Sequence, residues 1–202
     1  MKVNYMYNRH IGFRKRGTKK PVYNNIVFDS VDEIGTYMWL EECLENKLIQ
    51  GFIYHPDSFK ITDPVTKEIK VITTNNKGIS KEKTKKITIL RESSYTADFY
   101  VFGIDKSLFD VLYTKDGCAW IDTKGKWSAK GLGKDGKYFS LVKKIIYKLY
   151  GIYINTFMCE DVFKKTFVPE KYRLTEKTKK IKKYFIECSS VQEFKEKIKD
   201  VK

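Results

Sequence analysis

The stretch that most narrows the fold is Cys118-Ala119-Trp120-Ile121-Asp122, in which an apolar run ends on a carboxylate. A run this short and this apolar fits a central β-strand rather than a helix. Glycines and lysines crowd residues 125–136, which read as a mobile basic loop. Residues 139–150 then return to helical spacing. They put Leu141, Val142, Ile145, Ile146 and Leu149 on one side and Lys143, Lys144 and Lys148 mostly on the other. After Gly151, Ile152-Tyr153-Ile154-Asn155-Thr156-Phe157 is again strand-like. Upstream, Ser30 or Asp29 is a candidate N-cap, and Asp32 and Glu33 fill a first turn where the helix dipole favours anions. Ile34, Tyr37, Met38, Leu40 and Leu44 carry the helical period on to about Lys47. Residues 52–56 and 58–61 look like strand interrupted at Pro56-Asp57. Two further β-rich runs, 86–91 and 95–104, are expected to pair across a turn at Glu92-Ser93-Ser94. Between these regions, residues 62–86 read as an exposed excursion with a short strand at 69–72 and then a flexible loop. This order of helix, strands, helix and strand predicts an α/β core with a mixed sheet.

Charge bears on partners rather than on fold. Over 202 residues, 40 Lys and Arg stand against 25 Asp and Glu, a net +15, which favours a polyanionic partner, with nucleic acid the commonest. Hydrophobic residues at 42% and aromatics at 15% suffice to bury a core and exclude wholesale disorder. The organisation expected is a basic N-terminal arm (1–21), a core (22–168) and a basic C-terminal extension (169–202). That extension opens with a cationic linker and holds a short helix at 190–199. The longest apolar segment, 145–159, is interrupted by Lys148 and too short to span a bilayer. The first nine residues lack a signal-peptide apolar run, so a cytoplasmic chain with no membrane partner is expected. Cys43, Cys118, Cys159 and Cys188 are far apart and form no Cys-x-x-Cys pair. They are expected to be reduced, largely buried thiols rather than a zinc site or disulfide framework.

Two acidic residues stand out against this cationic background. Asp98 sits inside Tyr95-Thr96-Ala97-Asp98-Phe99-Tyr100-Val101, and Asp122 ends its own apolar strand, with Lys124 on the same face by the period of two. A carboxylate among apolar neighbours is costly unless a cation or hydrogen bonds compensate, and a divalent metal is the strongest local compensation. Two strand carboxylates, a neighbouring lysine and the first-turn glutamate Glu33 are the groups that metal-assisted phosphodiester hydrolysis requires.

In sequence order, Phe28-Asp29-Ser30-Val31-Asp32-Glu33, Thr96-Ala97-Asp98-Phe99 and Trp120-Ile121-Asp122-Thr123-Lys124-Gly125 resemble the PD-(D/E)XK nuclease superfamily. The resemblance covers roughly residues 22–157 and is narrower to small phage-type endonucleases, which include Holliday-junction resolvases. It departs at Ala97, where the superfamily pattern writes proline. What the resemblance implies is a restriction-endonuclease-like core with a central mixed β-sheet flanked by helices. It further implies a Mg²⁺-dependent DNA endonuclease, with Mn²⁺ able to substitute, working as a homodimer on branched or duplex DNA in a bacterial host cell. Asp98, Asp122 and the Thr123 carbonyl would hold the metal, Glu33 would complete that site or help hold a second ion, and Lys124 would orient the attacking water. Two rivals are a transposon-end endonuclease of the TnsA type and a non-catalytic DNA-binding protein on a nuclease-like core.

The cations expected to meet DNA are Arg14, Lys15 and Arg16 in the arm, and Lys126, Lys130, Lys134, Lys137, Lys143 and Lys144 beyond the site. Trp127 is the candidate for stacking on a base or sugar. The lysines of residues 81–86 are read as a solvated face. Trp39 and Trp120 are expected in the core, Glu41 and Glu42 in ordinary surface pairs, and neither His10 nor His55 is assigned chemistry.

Overall fold

The structure, a computed structural model, describes residues 20–74, 80–131, 133–173 and 188–200. The expected contacts of Arg14, Lys15 and Arg16, and most of the cationic linker, lie outside the described residues. A small antiparallel hairpin, β1 (Val22–Tyr23) and β2 (Ile26–Val27), turns on Asn24 and Asn25. Both asparagines have positive φ, 48° and 63°, as a two-residue hairpin turn demands. Helix α1 (Val31–Glu45) follows, capped by Ser30. The Ser30 hydroxyl accepts from the Glu33 N–H at 3.1 Å, as an N-cap does, and donates to Glu33 Oε1 at 2.9 Å.

Strands β3 (Gly51–Tyr54), β4 (Phe59–Thr62), β5 (Val65–Thr74), β6 (Ser80–Leu90), β7 (Ser93–Tyr95), β8 (Phe99–Phe102) and β9 (Cys118–Thr123) come next. Helices α2 (Lys126–Ala129) and α3 (Gly133–Tyr150), strand β10 (Ile154–Phe157), then α4 (Cys159–Lys165), α5 (Glu170–Arg173) and α6 (Val191–Asp200) complete the described chain. The central sheet has the order β10-β9-β8-β3. Strands β3, β8 and β9 run antiparallel, and α3 carries the chain across to β10, which lies parallel to β9. The protein is therefore mixed α/β with a mixed central sheet. Among the described residues no helix is long and apolar enough to cross a membrane.

Alternation along the strands gives the sheet two apolar faces. On one, Phe99, Val101, Ala119, Ile121 and Phe157 pack with Trp39, Leu40 and Cys43 of α1 and with Val162 and Phe163 of α4. On the other, Ile154 and the half-buried Trp120 pack with Phe139, Val142 and Ile146 of α3 and with Phe59. Cys188, Val191 and Phe194 join the first of these clusters, so α6 shares the core of α1 although the composition changes before it. Four cysteines are free thiols, three of them buried. Burial pushes the Cys159 thiol up to about 12, which keeps it a neutral donor to the Asp32 carbonyl at 3.2 Å.

Several expectations need correction. Residues 86–91 and 95–104 do not pair with each other. Strand β6 pairs with β5 along its length, β7 pairs with β4, and β8 lies between β3 and β9. The excursion is correspondingly not a short strand and a flexible loop but a ribbon of two strands, ten and eleven residues long. Its alternation of Lys and Thr with Ile and Val suits a ribbon exposed on both faces, a pattern that resembles a polar loop when read for hydrophobicity alone. Most of the glycine-lysine stretch is helix rather than loop, because α2 and the first turn of α3 occupy the larger part of it. Finally, α3 buries Phe139, Val142 and Ile146, while Leu141 and Leu149 are exposed. The set 139, 142, 146 has the same helical period as 141, 145, 149, and only contact with the sheet selects between them.

Candidate active site

Asp98 immediately precedes β8, one residue beyond the Phe99↔Ile121 pair, so it lies across from Asp122 at the end of β9. Its Oδ2 accepts the Thr123 N–H at 2.6 Å, which ties the carboxylate to the neighbouring strand. Asp122 is 3% exposed, and its two oxygens have different partners. The Tyr95 hydroxyl donates to Oδ2, and the Lys124 ammonium forms an ion pair with Oδ1. Lys124 Nζ also stands 4.8 Å from the centre of the Phe139 ring. Two of the expected carboxylates and the expected lysine are thus brought together, with Thr123 between Asp122 and Lys124.

Burial, and then the facing charge of Asp122, push the Asp98 carboxyl up to about 7; the Thr123 N–H and Lys124 oppose the rise, and Glu33 adds to it. Burial and the two aspartates hold the Tyr95 hydroxyl well above the ordinary tyrosine range, so Tyr95 remains a donor to Asp122. The site concentrates negative charge in low-dielectric surroundings, with Lys124 the one lysine paired to it among the described residues.

Glu33 stands at the N-terminus of α1, near enough to act on Asp98 through its charge, yet its oxygens are occupied. Oε1 accepts from the Ser30 hydroxyl, and Oε2 accepts from the Asp29 N–H at 3.1 Å and the Tyr54 hydroxyl at 3.0 Å. Among the described residues, the acidic and imidazole set with ligand atoms all within 4.8 Å of one another is Asp29, Glu33 and His55, not Glu33 with the two strand aspartates. Lys20 already pairs with Asp29 at 2.5 Å. His55 adopts a left-handed conformation, φ 50°, and its N–H donates to the Asp98 carbonyl at 2.9 Å, which joins the end of β3 to the start of β8. Helix α1 is also tied directly to β9, since the Thr36 and Thr123 hydroxyls lie 3.0 Å apart.

Alongside this cluster, a cleft of about 580 Å³ is lined by Lys130, Lys143, Lys144, Phe139, Tyr147 and Tyr153, among others. Lys143 donates to the Thr156 hydroxyl at 2.9 Å and lies 4.8 Å from the Tyr153 ring centre. Thr156 in turn pairs with Asp122 in the β9–β10 register, so the cleft opens beside the carboxylates. Of the expected cations, Lys130, Lys143 and Lys144 share this cleft, and Lys126 and Lys137 are exposed on α2 and α3. The side chains of Trp127 and Lys134 lie outside the described residues. Glu41 accepts from Tyr23 and Asn24, and Glu42 accepts the Glu170 N–H, in keeping with the surface pairing expected of both. Tyr95, Tyr54 and Phe139 are the site residues that sequence reasoning missed. Each is an aromatic in an aromatic-rich chain, and no local pattern distinguishes it from a core residue. No family model, curated protein or solved structure matches this chain.

The raised Asp98 pKa has a consequence for stability. A carboxyl whose folded pKa lies above its unfolded value of 3.8 contributes stability that is present below about pH 4 and is lost as pH rises through about 7. Asp98→Asn keeps an acceptor for the Thr123 N–H and removes the titration. In EDTA at pH 8 the variant is expected to be more stable than wild type by on the order of 2 kcal/mol, with the difference vanishing near pH 4. Thermal midpoints measured from pH 4 to 8 check this, and parallel curves for the two proteins would contradict the assignment.

Proposed function

We propose that this chain is a divalent-metal-dependent DNA endonuclease with a restriction-endonuclease-like core. The observation that carries the reading is Asp98 and Asp122 facing each other at the ends of adjacent strands, with Lys124 held against Asp122. The order helix α1, antiparallel β3, β8 and β9, crossover α3 and parallel β10 supports it, being the arrangement that the sequence resemblance implies.

The donor set suits Mg²⁺ or Mn²⁺. A buried and a half-buried carboxylate beside one lysine are short of positive charge among the described residues, and hard oxygen donors are what these ions take. Asp98, Asp122 and the Thr123 carbonyl would hold the ion. Glu33, engaged by the helix cap and Tyr54, shapes the field at Asp98 rather than supplying a ligand oxygen. When bound, the ion supplies Lewis-acid polarisation of the scissile phosphate and acidifies a water. The protein's own groups do the rest. Tyr95 fixes the Asp122 carboxylate by donating to it, Lys124 offsets negative charge developing on the phosphate and orients the water, and Lys130, Lys143 and Lys144 hold neighbouring phosphates. Action as a homodimer on a four-way junction belongs to the same proposal.

The test incubates labelled four-way junction, linear duplex and single-stranded DNA with the protein in Mg²⁺ or EDTA, alongside Asp98→Ala. Paired nicks confined to the junction, absent in EDTA and in the variant, are the expected result. Cleavage of every substrate leaves a general or partner-directed nuclease. Tight binding with no cleavage under any condition overturns the enzyme in favour of a DNA-binding protein on the same core.

A further inference from the structure

The β5–β6 ribbon sorts its charges by face. Its register places Lys67 opposite Ile87, Ile69 opposite Lys85, Val71 opposite Lys83 and Thr73 opposite Lys81, so these eight residues share one face. That face carries four lysines and no carboxylate. The opposite face pairs Glu68 with Lys86 across the strands and joins Lys70 to Glu82 in an ion pair of 3.0 Å, so its charges cancel. A solvated ribbon would gain from mixing signs on both faces, as this second face does. On the first, successive lysines of β6 repeat every two residues, roughly 6.7 Å apart, and repel one another with no acid among them. Ile69, Val71 and Ile87 lie between them, partly covered. Such a row destabilises the free ribbon and is relieved by an external polyanion.

We infer that the Lys67, Lys81, Lys83 and Lys85 face of this ribbon is a duplex DNA-binding arm. It extends the proposed function and rests on the DNA-binding part of that reading, not on the catalysis. Two strands about 4.8 Å apart fit a major groove about 12 Å wide, which admits a two-stranded ribbon. Ten residues extend roughly 33 Å, close to one turn of duplex, so the lysines can follow a phosphate backbone. The ribbon is also rooted at the site. It leaves the core after β4 and returns through β7, whose last residue, Tyr95, donates to Asp122. DNA lying along the arm therefore leads towards the carboxylates.

The test compares two double variants of the full-length protein with equal change in charge, Lys83→Gln with Lys85→Gln and Lys70→Gln with Lys86→Gln. Affinity for a linear duplex is measured in EDTA across a range of salt concentrations. The first pair is expected to weaken binding by roughly tenfold or more at 0.1 M salt and to lower the slope of log affinity against log salt by about 2. The second pair should change affinity less than about twofold and leave the slope in place. All four positions are exposed, and unchanged thermal midpoints verify that both variants fold. Equal losses in the two variants would reduce the effect to net charge and overturn the arm. So would loss of self-association in the first variant without loss of DNA binding, because the face would then be an interface between copies. A wild-type protein that does not bind duplex at all overturns the DNA reading itself.

Discussion

Asp122→Asn protein is expected to bind duplex DNA in EDTA much as wild type does, and to cleave it in Mg²⁺ at least about a hundredfold more slowly. Asp122 is the convergence point of the site: Tyr95 donates to one oxygen, Lys124 pairs with the other, and Asp98 faces it across the strands. The asparagine preserves shape and an acceptor for the Tyr95 hydroxyl while removing the charge that would hold a cation and pair with Lys124. Since the substitution leaves a partly buried lysine without its partner, destabilisation could mimic lost chemistry. Lys124→Met tests the other partner of the pair, and because it leaves the buried Asp122 carboxylate without its cation, thermal midpoints measured in Mg²⁺ for both variants separate lost chemistry from lost folding. The methionine removes the cation, keeps the chain length over Phe139, and leaves Asp98 and Asp122 in place. Cleavage should again fall by at least about a hundredfold, with duplex affinity reduced only by the loss of one charge. Single-turnover cleavage with saturating protein reads the chemical step for both variants. A wild-type rate in either variant would remove the residue it replaces from the mechanism.

Trp39→Ala is expected to cost about 3–5 kcal/mol of stability, the range for truncating a fully buried large aromatic. Trp39 has 0% exposure, packs against Phe157 and Phe167 with ring centres 5.3 and 6.0 Å away, and donates its indole N–H to the Thr166 hydroxyl at 3.0 Å. The cavity left behind would lie between α1, β10 and the segment that follows α4. Thr166 retains its own bond to the Val162 carbonyl at 2.8 Å, so the loss is mostly packing. Trp39→Phe, which keeps much of the ring contact and loses the hydrogen bond, should cost only about 1–2 kcal/mol. Urea midpoints with unchanged slopes would check both values. Trp39→Ala as stable as wild type would show that this cluster does not hold α1 to the sheet. Because α1 carries Glu33, and Thr36 touches Thr123, loosening the helix should also disturb the site.

What could be read directly from the residues was whatever rests on short-range physics. Ser30 marks a helix start because its hydroxyl accepts the otherwise unpaired Glu33 N–H of the first turn, where acidic residues such as Asp32 and Glu33 meet the positive end of the helix dipole. The run from Cys118 to Asp122 marks a central strand because it is apolar on both faces. Asp98 and Asp122 stand out because a carboxylate in such a strand needs compensation, and they do lie together, each with a compensating donor or cation. Glu33 is conspicuous as a first-turn acid, and the same position lets the Ser30 hydroxyl and the Asp29 N–H engage its oxygens, so the local role and the expected ligand role compete for the same atoms.

Tertiary structure alone decided which strands became neighbours and which side chains met across them. Nothing local pairs β8 with β9 rather than residues 86–91 with 95–104, because register depends on which faces find a partner to bury them. The burial of Phe139, Val142 and Ile146 in place of Leu141 and Leu149 follows from the sheet beneath α3. Tyr95 reaches Asp122 from 27 residues away only because β7 returns beside β4 at the foot of the ribbon. The sorting of the ribbon's lysines onto one face likewise follows from pairing two strands in one register, since strand period sets faces only after the partner strand is in place.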